Sequence, residues 1–186
     1  STGDLLVEDE PSLDRIIAGI SRRAAFHAED EARLKSRTGV RKHGDASTHP
    51  LWRDEEAAMI ATTRLVRLAE THRRRVHVLH ISTAEEIEFL GRHKTWASCE
   101  ATPHHLTLVA PDCYRRLDTY AQMNPPVRDA RHRAGIWAGI ANGIVDVLGS
   151  DHAPHTRAEK DHPYPESHSG MTGVQTLGPI MLDHVN

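Results

Sequence analysis

The fold is set by the stretch VHVLHISTAEEIEFL at residues 76–90. Its first six residues are Val, Ile and Leu apart from two histidines, which favours a buried strand. Thr83 and Glu86 have the spacing of a capping box, so a short helix is predicted over residues 85–90. A strand that leads directly into a helix predicts a parallel β–α unit with His80 at the C-terminal end of its strand. Alternation along an extended strand puts Val76, Val78 and His80 on one face and His77, Leu79 and Ile81 on the other.

The same alternation continues on both sides of this stretch. Strands are predicted near residues 23–27, 76–81, 95–101 and 144–149, and helices near 9–22, 54–71 and 130–142. The polar segments 35–53 and 156–170 are predicted to be loops. Alternating strands and helices indicate an α/β fold with a parallel sheet. Four strands make half of a (β/α)8 TIM barrel, which has eight strands in typically about 250 residues, so a partial barrel is expected.

Composition excludes several classes of function. The 186 residues carry a formal net charge of −3, which predicts neither a nucleic-acid partner nor a membrane partner. Because no apolar run approaches the roughly 18 residues of a membrane span and no signal peptide opens the sequence, we expect a cytoplasmic protein. Cys99 and Cys113 lack a CxxC spacing and are expected to be reduced. Histidine is abundant, with 15 residues, and most of them lie among loop or charged residues and are expected at the surface, such as His43, His49, His72, His93, His132 and His184.

Three of the predicted strands end in residues that suit metal chemistry, namely His27, His80 and Asp151. Side chains at the C-terminal ends of parallel barrel strands converge on one point. Two imidazoles and a carboxylate are typical ligands of zinc, so these three residues are the candidate metal ligands. A bound zinc ion lowers the pKa of water to roughly 7, and a nearby carboxylate can transfer the proton. Asp151 is therefore the candidate catalytic residue.

Five motifs carry a family resemblance: FHAED at 26–30, VLHIST at 78–83, EATPHH at 100–105, NPPVR at 124–128 and GSDHAPH at 149–155. In this order the chain resembles dihydroorotases, which are cyclic amidohydrolases of the amidohydrolase superfamily. The resemblance covers essentially the whole chain. It implies that residues 1–186 are the C-terminal half of the barrel, with strands five to eight and their helices, and that the N-terminal half is absent.

The resemblance also implies roles for individual residues. His27 and His80 would bind the more buried of two zinc ions, and Asp151 would bind the other and shuttle a proton. Asn124 and His155 would donate or accept hydrogen bonds with the substrate, and Gly170 and Gly173 would line its pocket through backbone groups. Supporting hydrogen bonds are expected of His104 and His105, with metal ligation as the alternative, and of Glu100, with contact to an outer metal as its alternative.

Some family features do not occur in this sequence. These are the His-x-His pair, the arginine that binds the substrate carboxylate and the carboxylated lysine that bridges the metals. Ser1–Val7 resembles the loop that follows the lysine-bearing strand. The chain opens without methionine and closes inside a predicted helix, so we expect a piece of a longer polypeptide. Two zinc ions are expected in the intact site, but at most one, weakly bound, in this chain, which would be inactive alone.

The activity implied is the reversible cyclisation of N-carbamoyl-L-aspartate to L-dihydroorotate in pyrimidine biosynthesis. Hydantoinases, dihydropyrimidinases and allantoinases are the alternatives, because they share the barrel and the metals. A non-catalytic scaffold for aspartate transcarbamoylase is a third possibility. We expect a homo-oligomer, with aspartate transcarbamoylase as an alternative partner.

Overall fold

The computed structural model of the chain describes residue 7 and residues 9–185. Four strands form one parallel sheet in the order β1-β2-β3-β4. They are β1 (Ala24–Phe26), β2 (Val76–Val78), β3 (Ala97–Ala101) and β4 (Val147–Leu148). The α/β fold and the parallel sheet are confirmed. The strands are shorter than predicted, because pairing stops where the chain turns into the loops that carry the polar residues.

Helices connect and cover the strands. In the described part of the chain they are α1 (Glu10–Gly19), α2 (Glu31–Ser36), α3 (His49–Trp52), α4 (Glu55–Thr71), α5 (Ala84–Gly91), α6 (Pro103–Thr107), α7 (Asp112–Leu117), α8 (Ala130–Ala141), α9 (Arg157–Lys160) and α10 (Leu177–Asp183). Short 3-10 turns occupy Thr38–Val40, Ala46–Thr48 and Asp118–Ala121. Ser1–Val7, with its resemblance to the loop after the lysine-bearing strand, lies outside the described residues except for Val7.

The predicted helix ends are confirmed at the positions where a side chain satisfies free backbone groups. The Asp54 carboxylate accepts a hydrogen bond from the Ala57 amide at the start of α4. Thr83 and Glu86 make both bonds of the capping box at the start of α5. Gly143 follows α8 with a φ of +67°, a left-handed conformation that glycine adopts without steric cost. These local signals fix where each helix begins and ends.

The main core lies between the sheet and its helices. Val76 and Val78 of β2 are fully buried, together with Leu65 of α4 and Ile136 of α8. Apolar side chains removed from water on this face provide the main driving force for the fold. The opposite face of the sheet is more polar: Ala25, His77 and Ser98 lie side by side across β1, β2 and β3.

A second, smaller core lies under the loops and was not predicted. Met123, Tyr164 and Val127 are buried in it with Ala46. The segments 35–53 and 156–170 pack on this core, and each contains helical turns, so the prediction of plain loops was wrong. His49 and His132, expected at the surface from their polar neighbours, are buried with 0% and 1% exposure. Polar neighbours along the chain did not reveal the distant apolar residues that cover them.

Candidate active site

His27 and His80 meet at the C-terminal ends of β1 and β2. His27 Nδ1 lies 3.1 Å from His80 Nε2, and the two rings are nearly perpendicular, at 73°. His80 is 5% exposed. Burial, reinforced by the charges of His27 and His105, lowers the pKa of His80 to about 3. His80 is therefore a neutral imidazole at physiological pH, which is the form that binds metals.

The backbone turns sharply at two of the predicted site residues. His80 has a φ of +35° and Asp151 a φ of +40°, and they are two of the four non-glycine residues with positive φ in the described chain. Such conformations are uncommon and persist where the surrounding structure imposes them, often at functional sites. The turn at His80 corrects the predicted alternation along β2. Ile81, rather than His80, joins Val76 and Val78 in the core.

The His27 and His80 nitrogens fit a divalent metal. Two ligands about 2.0–2.1 Å from a tetrahedral zinc ion are separated by about 3.3 Å, close to the 3.1 Å between His27 Nδ1 and His80 Nε2. His80 Nδ1 is buried and has no hydrogen-bond partner among the described residues. His27 Nδ1 and His80 Nε2 face each other at the end of the sheet, and both are lone pairs when each ring carries its proton on the other nitrogen.

Glu29 contacts the second ring nitrogen of His27, and Arg53 binds Glu29. Glu29 Oε2 lies 3.0 Å from His27 Nε2, and Arg53 donates to both oxygens of the same carboxylate. The Glu29 side chain is 1% exposed and that of Arg53 is 8% exposed. Although burial alone would raise it, the Arg53 charge and the contact with His27 hold the pKa of Glu29 well below its usual range. A carboxylate beside the second ring nitrogen orients a metal-binding histidine and raises its basicity.

Asp151 faces the same end of the sheet, beyond β4. Its side chain is half-buried, and burial raises the pKa of its carboxyl. The charges of His104 and His27 act against this increase, and the charge of Glu100 adds to it. A carboxyl with a raised pKa is better suited to accept and return a proton than an exposed carboxylate.

Glu100 belongs to the polar face of the sheet. His77 Nε2 lies 3.2 Å from Glu100 Oε2, and His77 Nδ1 lies 2.8 Å from Ser98 Oγ. The Glu100 carboxylate packs directly against the Cα of Gly149, where any side chain would collide with it. Gly149 therefore permits the approach of β3 and β4 just before Asp151. His77 was not predicted as part of this region; the strand register pairs it with Ser98 of β3.

His104 and His105 have different environments on the short helix α6. Both ring nitrogens of His105 are used within the protein, by Thr102 Oγ1 at 2.8 Å and by the Pro125 carbonyl at 3.1 Å. Burial and the His104 charge lower the pKa of His105 to about 4. His104 Nε2 donates to the Thr172 carbonyl at 2.9 Å, while its Nδ1 is buried without a partner among the described residues.

Asn124 is held by a histidine that the sequence did not single out. His49 Nε2 lies 3.0 Å from Asn124 Oδ1 and 2.9 Å from the Met123 carbonyl. Two acceptors require Nε2 to carry the proton, so the imidazole donates to both. Burial and the Arg53 charge lower the pKa of His49 to about 4. With Oδ1 engaged, the Asn124 amide NH2 remains available as a donor.

Gly170 and Gly173 pack against the loop that carries Asp151 and His155. A side chain at Gly173 would strike the Ser150 carbonyl, and one at Gly170 would approach His155 Nε2 within 2.9 Å. Gly170 also has a φ of +152°. The Ala153 amide donates to the Met171 carbonyl at 2.9 Å, which ties the two segments together. Gly170 and Gly173 therefore lie directly against the loop between Ser150 and His155.

Known proteins place this region in context. No family model matches the chain. It is 35% identical over 184 residues to a dihydroorotase from Halobacterium salinarum and 34% identical to one from Methanosarcina acetivorans, covering 98% of this chain each time. Over nearly its whole length the chain is therefore similar to dihydroorotases. It spans only 42% and 41% of the length of these two relatives.

Solved structures share the fold of this chain. An L-hydantoinase from Arthrobacter aurescens superposes with a TM-score of 0.88 at 25% identity, covering 98% of this chain and 43% of the hydantoinase. A dihydropyrimidinase from Brevibacillus agri gives a TM-score of 0.84 at 22% identity. This chain thus shares the partial barrel with hydantoinases.

Three residues of this region were not predicted from the sequence, namely Glu29, Arg53 and His49. Glu29 and His49 contact the predicted site residues His27 and Asn124, and Arg53 binds Glu29.

Proposed function

We propose that the protein containing this chain is a dihydroorotase, which reversibly cyclises N-carbamoyl-L-aspartate to L-dihydroorotate in pyrimidine biosynthesis. The observation that carries the proposal is the convergence of His27 Nδ1 and His80 Nε2, 3.1 Å apart at the strand ends, beside the half-buried Asp151. Relatives named dihydroorotase match nearly the whole chain. Ring opening consumes one water, breaks the ring C–N bond and adds a proton to the nitrogen.

Different residues of this chain would bind the metal and transfer the proton during hydrolysis. His27 and His80 would hold the more buried zinc ion, with Glu29 keeping His27 in orientation. Zinc supplies Lewis acidity and makes the attacking water more acidic. Asp151 would take a proton from that water and return it to the ring nitrogen as the C–N bond breaks. Its raised pKa favours such a two-way transfer at neutral pH.

Substrate recognition would use side chains outside the metal pair. Asn124 would donate its amide NH2 to a carbonyl of the substrate, since His49 already donates to its oxygen. His155 would make a second hydrogen bond, and backbone groups around Gly170 and Gly173 would line the pocket. A polar site built to pair with such groups rejects analogues that lack them.

The remaining expectations concern the whole protein. We propose that residues 1–186 supply barrel strands five to eight, that the intact site holds two zinc ions, and that this chain holds at most one of them weakly and lacks activity alone. We further propose a cytoplasmic homo-oligomer, with aspartate transcarbamoylase as an alternative partner. No helix in the described residues is long and apolar enough to cross a membrane.

A second candidate is a hydantoinase, dihydropyrimidinase or allantoinase. The superposition on the Arthrobacter L-hydantoinase, with a TM-score of 0.88, favours it. A non-catalytic scaffold for aspartate transcarbamoylase is the third candidate. The presence of His27, His80 and Asp151 at the strand ends argues against a lost active site.

Assays of the full-length protein with dihydroorotate, allantoin and hydantoin, side by side at equal zinc, test the proposal. We expect dihydroorotate to be the best substrate. If hydantoin or allantoin is turned over faster, the second candidate is correct. No turnover of any of the three, with zinc bound, would support the scaffold instead.

A further inference from the structure

Three side chains with metal-binding atoms come together in the loop after β4, apart from His27 and His80. They are His155, Glu159 and His168, whose ligand atoms all lie within 4.8 Å of one another. His155 Nδ1 is 3.9 Å from Glu159 Oε2, and His168 Nδ1 is 3.5 Å from Glu159 Oε1. We propose that these residues form a separate site for a divalent transition metal of the zinc class.

The tautomer of His155 points to a cation. His155 Nε2 lies 3.1 Å from the Ser169 carbonyl, which can only accept, so Nε2 carries the proton. In the neutral ring Nδ1 is then a bare lone pair, and it faces the Glu159 carboxylate. Two acceptors facing each other repel unless a metal ion or a second proton on the ring lies between them. A backbone carbonyl that fixes one nitrogen so that the other can bind metal is the usual arrangement around metal-binding histidines.

The backbone beneath the three ligands is fixed. Glu159 Oε2 accepts from the Thr156 amide at 2.7 Å and from its hydroxyl at 2.8 Å, which leaves Oε1 directed at His168. The buried Lys160 ammonium donates to the His168 carbonyl at 2.8 Å and to the Gly170 carbonyl at 3.2 Å. Positions 155, 159 and 168 are therefore already close, and only side-chain rotation is needed. Such preorganisation lowers the entropic cost of binding.

The site would be open to solvent and weaker than a buried one. The side chains of His155, Glu159 and His168 are 27%, 40% and 55% exposed. Tetrahedral zinc places its ligand atoms about 3.3 Å apart, so the cluster must contract by up to about 1.5 Å. Three protein ligands leave one position for water. A proton on His168 would make a similar contact with Glu159, so the test must separate a metal from a proton.

Zinc bound at this site would also affect turnover, an expectation that rests on the proposed function. His155 is there assigned to the substrate, and a metal bound by its Nδ1 would hold the ring in the loop. Zinc in excess of the active-site ions would then inhibit turnover by occupying this second site.

Zinc titration of the chain at pH 7.5, followed by dialysis and metal analysis, tests the site. Glu159→Gln keeps the size of the side chain, and its amide oxygen can still accept at the helix cap, whereas His168→Ala removes one ligand. His162→Ala is the matched control, because His162 is exposed in the same loop. We expect Glu159→Gln and His168→Ala to weaken the second binding event at least about tenfold, and His162→Ala to leave it within about twofold. Equal zinc binding by all four proteins would overturn the proposal.

Activity of the full-length enzyme provides a second readout. His168→Ala should relieve inhibition by excess zinc without changing the rate at two equivalents. Inhibition that persists in His168→Ala would overturn the link to His155. Dihydroorotate turnover that is absent in the parent protein would contradict the proposed function, and the zinc titration would then judge this site independently.

Discussion

The two histidine pairs near the strand ends differ in their surroundings more than in their chemistry. The ring centroids of His27 and His80 are 4.8 Å apart and those of His155 and His168 are 5.0 Å apart, but His80 is almost fully buried, whereas His155 and His168 lie on an exposed loop. The first pair is backed by the buried carboxylate of Glu29, and the second faces the half-exposed carboxylate of Glu159. Burial keeps His80 neutral, and the Glu29–Arg53 pair holds His27 in place, so the same residue types give a rigid ligand pair there and an adaptable one in the loop.

The largest effect is expected from breaking the support of the buried pair. Arg53→Met leaves the Glu29 carboxylate buried without its partner, so the free energy of unfolding should fall by about 3–5 kcal/mol. Urea unfolding measures the change. Arg92→Met is the control, because the exposed pair of Arg92 with Glu88 should contribute no more than about 0.5 kcal/mol. Similar losses for both variants would show that the buried Glu29 carboxylate does not depend on its ion pair with Arg53.

Asp151→Asn should separate proton transfer from metal binding in the full-length enzyme. The amide keeps the size of the side chain but cannot carry the proton, so turnover should fall by about 10²–10⁴-fold while KM changes little. His80→Ala should instead lose zinc. Steady-state kinetics and metal analysis measure the two effects. Activity of Asp151→Asn within a few-fold of the parent at saturating zinc would exclude the assigned role.

Acid should lower the stability of the fold through its buried histidines. Burial lowers the pKa of His49 and of His105 to about 4, below the unfolded value of about 6.5. The unfolded chain therefore binds protons that the native chain does not, and stability present above pH 6.5 is lost as the pH falls toward 4.

The expected loss is on the order of 3 kcal/mol for each buried histidine. Urea unfolding at pH 7 and pH 5, with a chelator present, should show less dependence on pH for His49→Gln than for the parent. His162→Gln, at an exposed position of the segment 156–170, is the control and should behave as the parent does. An unchanged pH dependence in His49→Gln would mean that His49 is not neutral in the native state.

The sequence predicted those parts of the molecule that depend on local signals. The capping box of Thr83 and Glu86 and the strand ends at His27, His80 and Asp151 could be located from patterns along the chain. The second core around Met123 and Tyr164 could not, because its members are far apart in sequence and lie in polar segments.

The supporting residues of the site were missed for the same reason. Glu29 is two positions after His27, but its partner Arg53 is 24 residues further on, and His49 reaches Asn124 across 75 residues. The turn at His80 was missed because period-2 alternation assumes an extended strand, and a φ of +35° ends that alternation. Contacts between distant segments therefore decide how the predicted residues are oriented.

Histidine NMR with 15N-labelled protein tests most directly whether His27 and His80 converge on a metal. Zinc added to the chain should shift the signals of His27 Nδ1 and His80 Nε2, because these nitrogens face each other, while His27 Nε2 stays protonated beside Glu29. His105, with both nitrogens engaged, should be unaffected. Shifts at His27 Nε2 and His80 Nδ1 instead, or no zinc-dependent shift at either residue, would contradict a metal site at the ends of β1 and β2.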